Sequence, residues 1–528
     1  MNILQILPEL NVGGVETGTV DLAKVLIRQG HRCVVVSAGG ELVAEIEKHG
    51  IKHYTLPVGS KAFWVMFQSA KKLRKIIEDE KIDIVHGRSR SPAWVGFMAA
   101  RHTDAVFVTT AHGHYSRHIF SPVMGWGKYT IVPSVVIGRH MMDDFGVPRQ
   151  NIRLIPRSVD LERYHFCDRT QKKRDGFLIG VVGRITPIKG QLYFLKALAC
   201  VLRSMAGVKA WIIGGVSAGK DHYMEELEVW TRRLGLTQTV QFLGNRRDIP
   251  GLLSQMDCLV MPSIAEESFG RVIVEAQAVG TPVAATKVGG VAEIIEDGVD
   301  GLLVHPKDHE VLAEAILKVL SDRTLAQTLS FNGRKKVETK YTLERMVQDT
   351  LKVYEEALGQ PRILVIKLGA VGDAILTIPT FRALKKKFPL SVIVCLTSLD
   401  TQDVYWRCPY IDELIVSDIK GRDKGPRALW KLAQKLMRRR FDFVVDLQNN
   451  KKSHLLAYAT FAAKRYGYDN GKWSFFLNRA IKDTGEVLGP VAHQFRVLKQ
   501  LGIEEENEPM DLWPSVSDKA FADAICAP

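Results

Sequence analysis

The 528-residue chain is poor in cysteine: Cys33, Cys167, Cys200, Cys258, Cys395, Cys408 and Cys526 are its seven. None stands in a C-x-x-C pair, which argues against a zinc framework. Several lie in apolar runs and the count is odd, so they are expected to be buried and reduced, as in a cytoplasmic protein. No run of about 18 uncharged apolar residues occurs, so no transmembrane helix is expected. Met1-Asn2-Ile3-Leu4-Gln5-Ile6-Leu7 has no basic n-region or cleavage site, so no secretory signal is expected. No strand pattern is followed by G-x-G-x-x-G with an acid about 20 residues on, which argues against a nicotinamide dehydrogenase. What remains is an ordinary globular composition, 46% apolar and 25% charged. The length suits three or four domains of about 150 residues each.

Acidic residues are also in deficit, 58 against 72 basic, a net charge of +14. The surplus concentrates in residues 420–465, which hold 13 basic and 3 acidic residues. Such a field favours an anionic partner, or is simply a solvated basic face.

Three segments share one opening: an apolar strand, a glycine turn, then a helical pattern. They are Ile3–Leu7 with Asn11-Val12-Gly13-Gly14, Phe177–Gly183 with Pro187–Gly190, and Ile363–Ile366 with Gly369-Ala370-Val371-Gly372. Continuous apolar strands alternating with amphipathic helices predict parallel sheets covered on both faces. The fold class is therefore α/β, with three doubly wound, Rossmann-like units. Further strands are expected at Cys33–Ser37, Ile82–His86, Ala105–Thr109, Ala210–Ile213, Val240–Leu243, Cys258–Met261, Pro282–Ala285, Ser391–Leu396 and Phe443–Asp446. Charged residues 165–176 and Gly359-Gln360-Pro361 read as linkers. The expected domains are 1–165, completed by a helix at 341–358, then 166–340, then 361–528. Ligands of open parallel sheets bind at the carboxyl ends of the strands, so the chemistry is expected in those loops.

The strongest candidate is Glu266-Glu267-Ser268-Phe269-Gly270-Arg271-Val272-Ile273-Val274-Glu275, after the strand Leu259-Val260-Met261. Glu267 and Glu275 are eight apart, so on one helix both would face the same side. Carboxylates suit sugar hydroxyls, and a helix start offers N–H groups to an anion. The same residues also fit an ordinary helix start, with Ser268 as cap and Glu267 favoured by the helix dipole. The second candidate is Gly183-Arg184-Ile185-Thr186-Pro187-Ile188-Lys189-Gly190, whose Arg184 and Lys189 would reach a diphosphate or stay as solvated cations. The third is Gly13-Gly14, where the backbone can approach a ligand closely. His86-Gly87-Arg88-Ser89-Arg90 offers arginines to an anionic acceptor or to the surface.

In this order, with Gly289-Gly290, Glu293, Gly298 and Gly301 following, these elements resemble the retaining glycosyltransferases of the GT-B fold, family 4, over roughly residues 1–358. The resemblance implies two facing Rossmann-like domains, with a nucleotide-sugar donor held by the second. Arg184 and Lys189 would hold the diphosphate, and Glu267 the sugar hydroxyls, near the N–H groups of Phe269 and Gly270. Ser268 would line the same loop, Glu275 would bind the ribose, and Gly13 and Gly14 would close on the phosphates. His112, in Thr110-Ala111-His112-Gly113-His114, matches the family's histidine beside the reacting sugar. No metal or other cofactor is expected, because the chain contains no Asp-x-Asp to hold a divalent ion against the diphosphate.

Residues 361–528 are similar to the N-terminal half of the heptosyltransferases, family 9. The likeness rests on Arg362–Pro379, Leu384–Pro389, Asp446-Leu447-Gln448, Lys452-Ser453 and His493. It implies that Asp373 is a candidate general base. Within this part, Leu429-Trp430, Leu432 and Leu436–Phe441 read as a core helix with a basic outer face, or as a contact for an anionic membrane.

The sequence thus points to a cytoplasmic glycosyltransferase, associated with the inner face of the membrane, that uses a nucleotide-sugar and a saccharide or lipid-linked acceptor. Lipopolysaccharide or another surface glycan is the expected product, and no nucleic acid partner is expected. A nucleotide-sugar 2-epimerase of the same fold is the nearest alternative; a non-catalytic module binding anionic lipid or nucleic acid is another.

Overall fold

The computed structural model describes residues 1–11, 13–168, 176–216, 221–418, 421, 423–486, 488–505 and 510–526. Val12 and most of the linker expected over 165–176, residues 169–175, lie outside them.

Three sheets form, each wholly parallel among its described pairings. In spatial order the first contains Lys52–Thr55, Arg32–Ser37, Asn2–Ile6, Ile84–Gly87, Val106–Thr110, Thr130–Val132 and Ile152–Leu154. The second contains Val240–Gly244, Val208–Ile213, Phe177–Val182, Cys258–Met261, Val283–Thr286 and Leu302–Val304. The third contains Glu413–Ser417, Val392–Ser398, Arg362–Ile366, Phe443–Asp446, Lys464–Asp469 and Arg479–Lys482.

Alternation along each strand fills two cores per sheet. In the first, Leu4, Ile6, Val34 and Val36 pack with Met66, Leu73, Ala93 and Phe97 from helices Phe63–Asp79 and Arg90–Ala100. Ile3, Val35, Ile84 and Val108 pack on the other face with Val20, Leu22 and Leu26 of helix Gly14–Arg28. That second core also contains Val347, Leu351 and Tyr354 of helix Leu343–Gly359, which returns from the second unit to close the first.

The strands that apolar runs do not reveal are mostly edge or three-residue strands. Lys52–Thr55 and Arg479–Lys482 are sheet edges with polar sequences. An edge strand buries less, so it carries a weaker apolar signal.

The third unit joins the first at the start of its strands. Lys128, buried just before strand Thr130–Val132, holds the carboxylate of Asp442 at 2.7 Å and the carbonyl of Ala357 at 2.6 Å. Lys464 pairs with Asp104 at 2.8 Å, and Phe461 packs against Phe97 and Trp126. Asp442 and Lys464 also lie where the third unit's strands begin. The two sheets therefore meet at their amino ends, and their carboxyl ends point apart.

The basic stretch behaves as a core helix. Helix Pro426–Met437 buries Leu436, with Leu429 and Leu432 partly covered. It stops before Arg438-Arg439-Arg440, so the expected continuation to Phe441 does not form. Arg440 takes a left-handed φ of +55° and hydrogen-bonds the carbonyl of Gly125.

Candidate active site

Strands Phe177–Val182 and Cys258–Met261 are neighbours across the point where strand order reverses in the second sheet. Loops leaving such a pair open a crevice at the carboxyl edge. Two contacts tie the loops together. Gly190 has φ +70°, and a Cβ there would sit 1.9 Å from the Pro262 carbonyl. The N–H of Ile264 donates to the carbonyl of Ile188 at 2.9 Å.

The result brings Lys189 onto Glu267, Nζ to Oε1, at 2.6 Å. The Ser263 hydroxyl donates to the same carboxylate oxygen at 2.6 Å. From behind, Gly289 and Gly290 press on the Glu267 backbone. The Gly290 N–H donates to the Glu267 carbonyl at 2.7 Å, and a Cβ on Gly289 would lie 2.4 Å from that oxygen. Arg184 leaves the same turn with its side chain exposed, its carbonyl held by the buried amide of Gln191 at 2.9 Å.

Glu267 and Glu275 do not share a helix. The helix is Arg271–Ala278, its cap is Gly270 at φ +93°, and Ser268 makes no cap. The loop turns left-handed at Gly270, which only glycine does cheaply, and this ends the helix three residues short of Glu267. Phe269 is buried against Tyr341, which anchors the loop. Glu275 lies within the helix, its Oε1 2.9 Å from Arg271 Nε, an ion pair without hydrogen-bond alignment.

The first unit forms the opposite wall. His112 follows strand Val106–Thr110; its N–H donates to the Tyr115 hydroxyl at 3.2 Å, and its buried Nε2 has no partner. Burial, and then Arg157, push its pKa well below the usual histidine value, so the ring is neutral. Gly13 caps helix Gly14–Arg28 in an extended conformation, and the Gly14 carbonyl accepts from Arg157 Nη1 at 2.9 Å.

Several contacts among the described residues cross between the walls, an ion pair of Arg247 with Glu41 among them. His114 Nε2 lies 3.0 Å from Glu266 Oε2, and Arg271 Nη2 lies 3.6 Å from Asp21 Oδ2. Glu293 accepts from the N–H groups of Val135 and Val136 at 2.8 and 3.0 Å, an anion at a helix start. Asp373 is elsewhere: it pairs with Lys367 at 3.3 Å at the carboxyl edge of the third sheet, which faces away from the crevice.

Arg157 and Arg271 carry no expectation from sequence. Arg271 was legible as the cation i−4 to Glu275; Arg157 follows a three-residue strand that no apolar run marks. Arg88, at the end of Ile84–Gly87, is buried rather than a surface cation.

His86 and His112 are both buried with lowered pKa values, burial being the largest cause. A lowered histidine pKa means that the unfolded chain binds more protons below its own value of about 6.5. Their contribution to stability is therefore complete above about pH 6.5 and declines below it. Tm measured from pH 7.5 to 5.5 should fall more steeply for the wild type than for H112F; equal slopes would contradict a buried neutral His112.

Comparison with known families agrees with this architecture. The profile of glycosyl transferases group 1 matches residues 166–336, and that of glycosyltransferase family 4 matches residues 12–163. A glycosyltransferase family 9 (heptosyltransferase) profile matches residues 429–524. A glycosyltransferase structure from Rickettsia africae is 30% identical, covering 68% of this chain and 98% of that one, with a TM-score of 0.62. Anabaena HepE, solved in complex with UDP and glucose, is 25% identical, covering 67% of this chain and 100% of that one, with a TM-score of 0.59. An Escherichia coli UDP-Gal:alpha-D-GlcNAc-diphosphoundecaprenol alpha-1,3-galactosyltransferase is 27% identical over 310 residues, 54% of this chain and 79% of that protein. The chain is thus a GT-B glycosyltransferase belonging to group 1 and family 4, extended by a family 9 (heptosyltransferase) segment.

Proposed function

We propose that the protein transfers a sugar, with retention, from a uridine diphosphate sugar to a saccharide or lipid-linked acceptor during synthesis of lipopolysaccharide or a related surface glycan. The observation that carries the donor side is the Lys189–Glu267 contact at the switch point. Lys189 and Arg184 offset charge on the departing diphosphate. Glu267, already paired with Lys189 and Ser263, accepts hydrogen bonds from sugar hydroxyls. Glu275 takes the ribose, and neutral His112 lies across the crevice. The UDP and glucose bound by HepE favour uridine and a hexose, and the diphosphoundecaprenol substrate of the E. coli relative favours a lipid-linked acceptor.

The test is a thermal-shift panel of nucleoside diphosphates, since a ligand that binds the folded form raises Tm by mass action. UDP is expected to give the largest shift, and E275A to lose it. No response to any nucleotide, or a full response in E275A, would remove the donor assignment. Turnover of UDP-sugar without acceptor into an epimer would favour the 2-epimerase reading.

No helix among the described residues is long and apolar enough to cross a membrane. A peripheral contact at the inner face of the cytoplasmic membrane has a better candidate than the basic helix near 430. Phe63 and Trp64 are 74% and 68% exposed at the start of helix Phe63–Asp79, with Phe67, Lys71, Lys72 and Lys75 exposed beyond them. Aromatic rings beside lysines suit an anionic interface. The helix starts at the carboxyl edge of the first sheet, the edge that faces the crevice. F63S/W64S should reduce co-sedimentation with phosphatidylglycerol vesicles about tenfold or more, each ring contributing about 1.5–3 kcal/mol when buried. Unchanged co-sedimentation would rule this helix out.

A further inference from the structure

A small cavity opens between the walls of the crevice, on the side of the first unit. It is lined by Gly14, Gly18, Asp21, Arg88, His112 and Arg157, with Arg271 entering from the second unit. Three guanidinium groups therefore share one enclosure.

Their charges are not equally compensated. Arg271 has Glu275 at 2.9 Å and Asp21 at 3.6 Å. Arg88 is buried, and its Nη1 is held only by the neutral amide of Gln5 at 2.9 Å, while its Nε has no partner. Among the described residues, the hydrogen-bond partner of Arg157 is the carbonyl of Gly14. The carboxylates whose charge reaches Arg88 are Glu16 and Asp21, and Glu16 also reaches Arg157. Asp21 serves Arg271, and Glu16 folds back on Gly13, its Oε2 2.3 Å from where a Cβ there would be. Among the described residues, no carboxylate lies within ion-pairing distance of Arg88 or Arg157. The other titratable groups facing the cavity, His86 and His112, are neutral.

Arg88 is buried and Arg157 half-buried, and a guanidinium withdrawn from water without a counter-charge is costly unless an anion completes it. Desolvation, and then the neighbouring Arg271 and Arg88, lower the Arg157 pKa to about 10. Arginine's planar fork matches the oxygens of a phosphate or carboxylate. Gln5, fully buried in the central strand, holds the Arg88 fork in place and is itself fixed by the Thr19 carbonyl at 3.2 Å.

We infer that the acceptor carries an anionic group, a phosphate or a carboxylate, and that Arg88 and Arg157 hold it beside His112. This rests on the donor site proposed above, because it assigns the second unit's cations to the donor and leaves these two for the acceptor. The site selects a charged acceptor over the neutral sugar of the same shape. It also fixes one end of the acceptor, so that a hydroxyl can be presented to the sugar held by Glu267.

The test uses the full chain saturated with UDP, with glucose 6-phosphate as a charged probe and glucose as its neutral match. Glucose 6-phosphate should raise Tm and glucose should not. R157M and R88Q should each weaken the response to glucose 6-phosphate at least tenfold in apparent Kd, with the UDP response retained. Each shift is read against the variant's own Tm, so a destabilised R88Q stays informative. Equal responses to both probes, or unaltered responses in both variants, would overturn the proposal. Loss of the UDP response in R157M would also overturn it, by assigning the cavity to the donor diphosphate. If wild type answers no nucleotide, the donor reading fails instead; the same comparison in K189A protein, without nucleotide, then decides the cavity.

Discussion

K189A is expected to lower kcat/KM about 100- to 1,000-fold, equivalent to about 2.7–4 kcal/mol of transition-state stabilisation. The ammonium lies 2.6 Å from Glu267 and at the mouth of the turn that carries Arg184. In the ground state it holds Glu267 in position. As the diphosphate departs it would face growing negative charge, so its contribution increases along the reaction. Folding should suffer much less, because the Ser263 hydroxyl still donates to Glu267 at 2.6 Å. A Tm within a few degrees of wild type, with KM for donor raised and kcat depressed together, is the expected pattern. A kcat/KM within threefold of wild type would mean that Lys189 never meets the diphosphate.

G190A should be the more damaging change to the fold. Alanine at φ +70° costs about 1–2 kcal/mol in the backbone alone. Its Cβ would also lie 1.9 Å from the Pro262 carbonyl, a contact that neither backbone can yield cheaply. Overpacking of this kind adds about 1–3 kcal/mol. The two loops must separate to relieve it, and Lys189 then moves off Glu267. We expect Tm to fall by about 4–20 °C, together with loss of the nucleotide-induced shift. A stable G190A protein that still binds nucleotide would show that the loops need not be in contact. K189A and G190A thus separate two effects: the first removes a charge from an intact crevice, the second opens the crevice with its charges present.

Much of the architecture was legible because apolar strands in parallel sheets are buried on both faces. Cys258–Met261 and Phe443–Asp446 fall where runs of four and three apolar residues predict them. Lys464–Asp469, reading Lys-Arg-Tyr-Gly-Tyr-Asp, was not legible: its burial comes from packing partners distant in sequence. Glu267 illustrates the limit of spacing arguments. A separation of eight suggests one helix face, yet Gly270 turns the chain before the helix begins. Arg88 was legible only as a cation near a strand end. Its burial depends on Gln5, which is 83 positions away in the chain.

The amino-acid order alone determined the three βα units, the glycine turns that open them and the acids and cations placed in those turns, because these follow from local periodicity and backbone sterics. Only the tertiary structure decided which turns touch, that the third unit is joined amino edge to amino edge with Asp373 turned away, and that Arg88 and Arg157 share a cavity whose carboxylate, Asp21, pairs with Arg271 instead. Those outcomes depend on long-range packing and desolvation, which act between residues that the sequence keeps far apart.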